Sequence, residues 1–473
     1  MASQILSIMR HELLLVAVLL IVLMAEIFWD PARKKNIRIL SIVLFGIITI
    51  IGFFPAPSGN LFGDMYVVTP IRLMMKNILN IGVLIVLIQS VTWLGKEENS
   101  EKISEYFLLL LSTLSGMSYM ISSGHFLMFY LGLELATIPL ASLAALDRYK
   151  NHSAEAGIKL ILSSALSSGI LLYGLSMIYG TTGNLYFAEL GKLFVSSNLS
   201  LLGFIFFFAG MAFKISIVPF HLWTADVYEG APVNVTSYLS VISKGAALFI
   251  FIIVLFSVFP MISAVWQKMI YVLAILTMTI GNLFAIRQQN MKRFLAFSSV
   301  SQAGYILLGI IGGNELGMAS LVYYVLVYIF SNLAAFGVVI AISNFSDKEN
   351  IDDYNGLYKT NPGLSLVMML ALFSLAGIPP VAGFFGKFFL FTAAAEKGYF
   401  ILVLIAILNT IISLYYYLLV VKAMFINKSE NPIASFKNDF PTRFALSVCV
   451  AGIVVVGFAS VIFEYIRTLS FGI

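Results

Sequence analysis

The chain has 473 residues, 60% of them hydrophobic and only 11% charged, with a mean hydropathy of +0.97. A water-soluble protein of this size needs far more charge at its surface, so the composition specifies a polytopic membrane protein, and the net charge of +5 says nothing of nucleic acid. The single cysteine, Cys449, excludes an intrachain disulfide and a cysteine-ligated cluster or zinc site. The four histidines lack HExxH spacing, and there is no Walker loop and no GxGxxG after a strand, so no means of binding a nucleotide, metal or redox centre is visible.

Apolar stretches of about 20 residues, the length that crosses a bilayer as a helix, give fourteen spans. The first, 12–29, imitates a signal peptide. Its length, the lack of a small-x-small site and the basic cluster that closes it mark it instead as a retained helix. It is followed by 38–54, 73–94, 106–122 and 125–145, the last two separated only by SSGH. Next come 154–180, 200–220, 233–259, 267–286, 294–312, 317–343, 363–394, 399–421 and 443–464. The fold class is therefore all-α, a single transmembrane domain over 1–473. Of the 28 Lys and Arg, four fall well inside spans; with those at span ends counted in the adjoining connection, 17 of the others lie in odd-numbered connections, and 7 in even-numbered connections and the termini. The excess puts the odd connections in the cytoplasm and both termini outside.

The four lysines well inside spans are Lys159, Lys214, Lys244 and Lys387. A lysine at the centre of a span costs about 2.5–3.5 kcal/mol, so four cost on the order of 10 kcal/mol. Lys159 lies near its span's end and can snorkel; the other three lie deeper. Glu134, in HFLMFYLGLELATIPL, is the carboxylate among them and has no local partner at helical spacing. Burial favours a neutral amine and a nearby carboxylate favours the ammonium, so a Glu–Lys pair that opens and closes is a proton switch. One such lysine is equally well explained by backbone carbonyls at a helix break, but the set points to an ion or proton path. Glu26, beside Trp29, Asp30 and Arg33, reads as interfacial.

Two stretches are broken. Pro219 ends the helix that carries Lys214, and LFSLAGIPPVAGFFGKFFLF places Gly377, Pro379 and Pro380 in mid-span ahead of Lys387. Such breaks survive in a bilayer where the loosened backbone faces protein or a water-filled cavity. Their pairing with lysines in opposite halves of the chain matches a transporter built from inverted repeats, although the two segments do not align residue by residue. SSALSSG (163–169) and FSSVSQAGY (297–305), with Gln302, supply hydroxyls either to hold water or to pack helices. Tyr415, Tyr416 and Tyr417 read as an aromatic belt or packing group.

The segments YLGLELATIPLASLAAL, SAEAGIKLILSSALSSG, FKISIVPFHLWTADVYEGAPVNVTSYLSVISKGA, NMKRFLAFSSVSQAGYILLG and SLAGIPPVAGFFGKFFLF together resemble subunit N of proton-pumping NADH:quinone oxidoreductase, respiratory complex I, in the antiporter-like membrane subunit superfamily. The resemblance runs from about residue 13 to 463. It implies fourteen helices, with an N-terminal three-helix segment (1–105), two inverted five-helix repeats (106–259 and 260–425), each with a broken helix, and a C-terminal helix (426–473). It also implies proton translocation by Glu134, Lys159, Lys214, Lys244 and Lys387. No cofactor is expected in this chain; flavin, iron–sulfur clusters and quinone are expected in other subunits. The implied partners are the neighbouring antiporter-like subunit, small membrane subunits, protons and the lipid bilayer of a bacterial inner membrane. Competing expectations are a subunit of a cation/proton antiporter, a related complex with another electron donor, and a structural scaffold.

Overall fold

A computed structural model of the chain describes residues 2–313 and 315–470. With no water in a bilayer to satisfy backbone groups, an apolar chain is driven to close its hydrogen bonds within helices. Helices α1 (Arg10–Phe28), α2 (Ile37–Gly52) and α3 (Pro70–Gln89) come first. Between α2 and α3 lies a hairpin of β1 (Gly59–Leu61) and β2 (Tyr66–Val68), antiparallel with Asn60 opposite Val67. These are the only strands among the described residues, a small cover on an all-α architecture.

The chain continues through α4 (Ile103–Ile121), α5 (Phe126–Ala144), α6 (Asn151–Thr182), α7 (Asn198–Ile215), α8 (Leu222–Gly230) and α9 (Val233–Val258). Then come α10 (Ser263–Ile286), α11 (Met291–Gly312), α12 (Glu315–Ser346), α13 (Pro362–Ala376) and α14 (Ala382–Glu396). The last are α15 (Phe400–Phe425), α16 (Phe440–Phe458) and α17 (Ser460–Leu469). Eleven of the described helices are long and apolar enough to cross a membrane, while α2 and α13 are apolar but shorter. The stretches read from the sequence fall on helices, but 200–220 runs past the end of α7, and 363–394 and 443–464 each cover two helices, α13–α14 and α16–α17.

Burial separates the helices by role. The spans of α11 and α12 are wholly buried, whereas only a third of the α1 and α15 spans is. The outer helices turn rows such as Leu20, Ile27 and Phe28, or Ile401, Leu404 and Ile411, away from the protein. A polar side chain in the middle of α11 or α12 therefore faces protein on every side.

Small residues let helices approach. On α4, a Cβ added to Gly116 would fall 2.3 Å from the Ala136 nitrogen of α5; on α6, one added to Gly174 would fall 2.5 Å from the Gly203 carbonyl of α7. Ser167 of the SSALSSG run joins the same α6–α7 contact, donating to the Gly210 carbonyl at 3.1 Å.

Candidate functional site

Lys214, Lys244 and Lys387 are all buried, and among the described residues none of them is in an ion pair. Each ammonium donates to a neutral oxygen instead. Lys214, in the last turn of α7, reaches Thr137 Oγ1 on α5 at 2.7 Å. Lys244 follows directly on a π-helical turn, Leu239–Ser243, a local widening common at functional sites. It donates to Ser299 Oγ on α11 at 2.7 Å and stands 5.4 Å from the centre of the Tyr228 ring. Lys387, on α14, donates to the Ala376 carbonyl at 3.1 Å and stands 4.3 Å from the Tyr305 ring. With neutral acceptors, losing the proton strands no counter-charge, so such a lysine can release it without handing it to a paired carboxylate.

Glu134 does not touch Lys214. It sits half-buried on α5, one turn before Thr137, with Oε1 buried and unpaired. It lies within electrostatic reach of Lys214, but α7 brings the ammonium to the next turn of α5.

The two breaks share one backbone design. Helix α7 stops at Ile215, where Ser216 adopts the left-handed conformation (φ 67°); α13 stops at Ala376, before Gly377 (φ 86°). The N–H of Ile217 bonds the Ala212 carbonyl and that of Ser216 the Phe213 carbonyl, both near 3.0 Å. Ile378 and Gly377 do the same to Phe373 and Ser374. This is the Schellman stop. The helix thus ends four residues before Pro219, which lies in the unwound stretch with a cis bond, as Pro380 does.

The last carbonyls of a helix lack intrahelical partners. At the second break, Gln302 of α11 donates to the Leu375 carbonyl at 3.0 Å, next to the Ala376 carbonyl held by Lys387. Gln302 also donates to the Tyr417 hydroxyl at 3.2 Å and accepts from the Tyr324 hydroxyl. Ser299 and Gln302, three residues apart, share a face of α11. That face runs from the acceptor of Lys244 to the broken helix beside Lys387.

On the face formed by the odd-numbered connections, a cavity of about 530 Å³ opens among α6, α8 and α11. Lys159 is exposed there, not sunk in apolar surroundings, and pairs with Glu155 (2.7 Å) and Asp226 (2.9 Å). Arg293 joins Asp226 (2.7 Å) to Glu229 (2.8 Å), and Lys292 pairs with Glu349 at 3.0 Å.

A family profile described as NADH:quinone oxidoreductase/Mrp antiporter, transmembrane, matches residues 123–413. A NADH-quinone oxidoreductase subunit N from Phocaeicola vulgatus is 53% identical over 457 residues, covering 96% of this chain and 97% of the relative. The chain belongs to the NADH-quinone oxidoreductase subunit N family. Among solved structures, respiratory complex I from Thermus thermophilus with bound aureothin contains a chain 27% identical to this subunit N family member, with a TM-score of 0.80 over 95% of this chain and 97% of that one. The Mrp complex of a Dietzia species contains another with the same fold, 20% identical, TM-score 0.86, covering 98% and 97%.

In this subunit N family member the sequence reading missed several polar residues. Tyr415 is exposed, but Tyr416 and Tyr417 are buried, and Tyr417 also bonds Ser298 at 2.6 Å. A run of three tyrosines carries no signal for which one faces the protein. Lys76 and Glu12 lie near the starts of their stretches, 73–94 and 12–29, where a charge draws no notice. In the fold they form a fully buried pair at 2.5 Å. Glu26 pairs with Lys34 and Ser104 at a partly exposed end, as an interfacial residue does. Among the described residues no group of three or more His, Cys, Asp or Glu is placed to hold a metal ion.

Proposed function

We propose that this chain moves protons across a bacterial inner membrane as subunit N of NADH:quinone oxidoreductase, driven by quinone reduction in other subunits. Protons enter through the cavity around Lys159 and Asp226, pass Lys214 and Lys244, cross the Ser299–Gln302 face of α11 to Lys387, and leave on the opposite side. Glu134, half-buried beside Lys214, acts on it by charge through space and not by direct contact. The chain then has fourteen transmembrane helices, both termini outside, and inverted repeats over 106–259 and 260–425 behind an N-terminal segment (1–105). Neighbouring membrane subunits cover its exposed apolar faces.

The observation that carries this reading is the continuity at α11: a buried lysine at one end, a second at a broken helix, and side-chain hydroxyls and an amide between them. One charge moved against 100 mV costs about 2.3 kcal/mol, and a pKa swing of two units in a relay lysine supplies about that much. The test is Lys244→Ala or Lys214→Ala in the assembled complex, with protons counted per electron. An unchanged ratio with normal assembly refutes the assigned roles. The fold shared with an Mrp complex supports a second reading, a cation/proton antiporter subunit. It predicts that the chain purifies without flavin and that sodium or potassium gradients drive proton movement.

A further inference from the structure

Glu12 and Lys76 play no part in the path above, yet they are the most deeply buried ion pair among the described residues, with side chains 0% and 1% exposed. Tyr66 closes the group: its hydroxyl donates to Glu12 Oε2 at 2.6 Å, Lys76 donates to Glu12 Oε1 at 2.5 Å, and Lys76 lies 3.3 Å from the Tyr66 oxygen. The hairpin carries Tyr66, α1 carries Glu12 and α3 carries Lys76. Residues far apart in sequence thus meet where the hairpin joins α1 and α3. A buried ion pair is weak in stabilising a fold, because desolvation offsets most of its attraction. It can, however, exist in two forms of equal net charge: carboxylate with ammonium, or carboxylic acid with amine.

Different elements flank the triad on its outer and inner sides. Arg72, one turn outward on α3, donates to the Val67 (3.1 Å) and Ser123 (3.0 Å) carbonyls and lines a cavity of about 430 Å³ with Asp64 and Glu189. That cavity lies on the face of the even-numbered connections, opposite the one that holds Lys159. Inward, Met75 and Leu79, which flank Lys76, pack against Gly245, the neighbour of Lys244; a Cβ there would lie 3.6 Å from each. The other titratable or charged groups that face the triad are His11 from α1, bonded to Asn77 at 2.9 Å, Arg72 from α3 and Tyr119 from α4.

We propose that Glu12, Lys76 and Tyr66 form a second proton-holding site, separate from the lysine axis, through which the first half of the chain releases protons to the outer face. In the transfer the Lys76 N–H bond breaks and a Glu12 O–H bond forms, so the site stays neutral. The carboxylic acid then gives its proton to water of the outer cavity, leaving a carboxylate beside an amine, and a proton from the inner side restores the ammonium. This inference rests on the proton-translocating reading above.

The test is the double variant Glu12→Gln, Lys76→Met, which removes both charges at near-constant volume, in the assembled complex. Protons per electron are measured beside Lys387→Ala. The expected result is normal assembly with a loss of pumping at least as large as in Lys387→Ala. A structural ion pair would instead leave the ratio at its wild-type value, which overturns the proposal. If the double variant does not assemble, Tyr66→Phe, which keeps both charges and the ring, decides: a lowered ratio supports the site and an unchanged one overturns it. Normal pumping in the triad variants with reduced pumping in Lys387→Ala sinks the triad and spares the axis. Reduced pumping in the triad variants alone sinks the axis, and normal pumping in all of them sinks both.

Discussion

Replacing Gln302 by leucine removes the amide that ties α11 to the broken helix while roughly keeping its volume. The Leu375 carbonyl loses its 3.0 Å donor and the Tyr324 hydroxyl loses its acceptor, whereas Tyr417 retains Ser298 at 2.6 Å. Two buried polar groups are thus left unpaired, at about 1–3 kcal/mol each, so the variant should be destabilised by roughly 2–6 kcal/mol unless water enters. The assays are thermal unfolding of the purified complex and protons pumped per electron. The expected result for Gln302→Leu is a lower unfolding temperature and impaired pumping with electron transfer intact. A variant with wild-type stability and a wild-type ratio would mean that the Ser299–Gln302 face is not the route between Lys244 and Lys387.

Lys387→Arg retains a donor for the Ala376 carbonyl but cannot give up its proton, since a guanidinium stays charged in proteins. The complex should assemble and pump poorly, and normal pumping would exclude proton exchange at this position. Gly377→Ala places a Cβ where φ is 86° and 3.0 Å from the Lys387 side chain. The left-handed conformation alone costs about 1–2 kcal/mol, so lower thermal stability and weaker pumping should appear together. At Gly116→Ala the new Cβ meets backbone at 2.3 Å, which cannot move aside cheaply. Loss of the assembled subunit, scored by its yield in membranes, is the expected outcome. Asp226→Asn leaves Arg293 with Glu229 and Lys159 with Glu155, all partly exposed, so stability measured by thermal unfolding should change little and the effect should shrink further at high salt.

The broken segments illustrate what was legible in the chain itself. GIPP and SIVP each announce a stop, because proline lacks a donor and glycine accepts a left-handed turn. The actual stop at the first break is Ser216, which holds that conformation with a side chain whose hydroxyl accepts from Thr224 at 2.7 Å. No local rule marks a serine for that role. Lys214, Lys244 and Lys387 were visible because a charge in an apolar run is anomalous whatever the fold. Lys159 stood out for the same reason, although its neighbours Glu155 and Asp226 turn out to place it in a charged mouth.

The bilayer makes span lengths, the charge bias of the connections and the buried lysines properties of the linear chain, since each follows from transferring successive residues into hydrocarbon. Partner choice does not. Whether Lys214 meets Glu134 or Thr137 depends on which turn of α5 is crossed by α7. The union of Glu12 with Lys76, and of Gln302 with the Leu375 carbonyl, depends on helices that adjoin only after packing. A hydrogen bond is decided within a few tenths of an ångström, and only the tertiary arrangement defines distances on that scale.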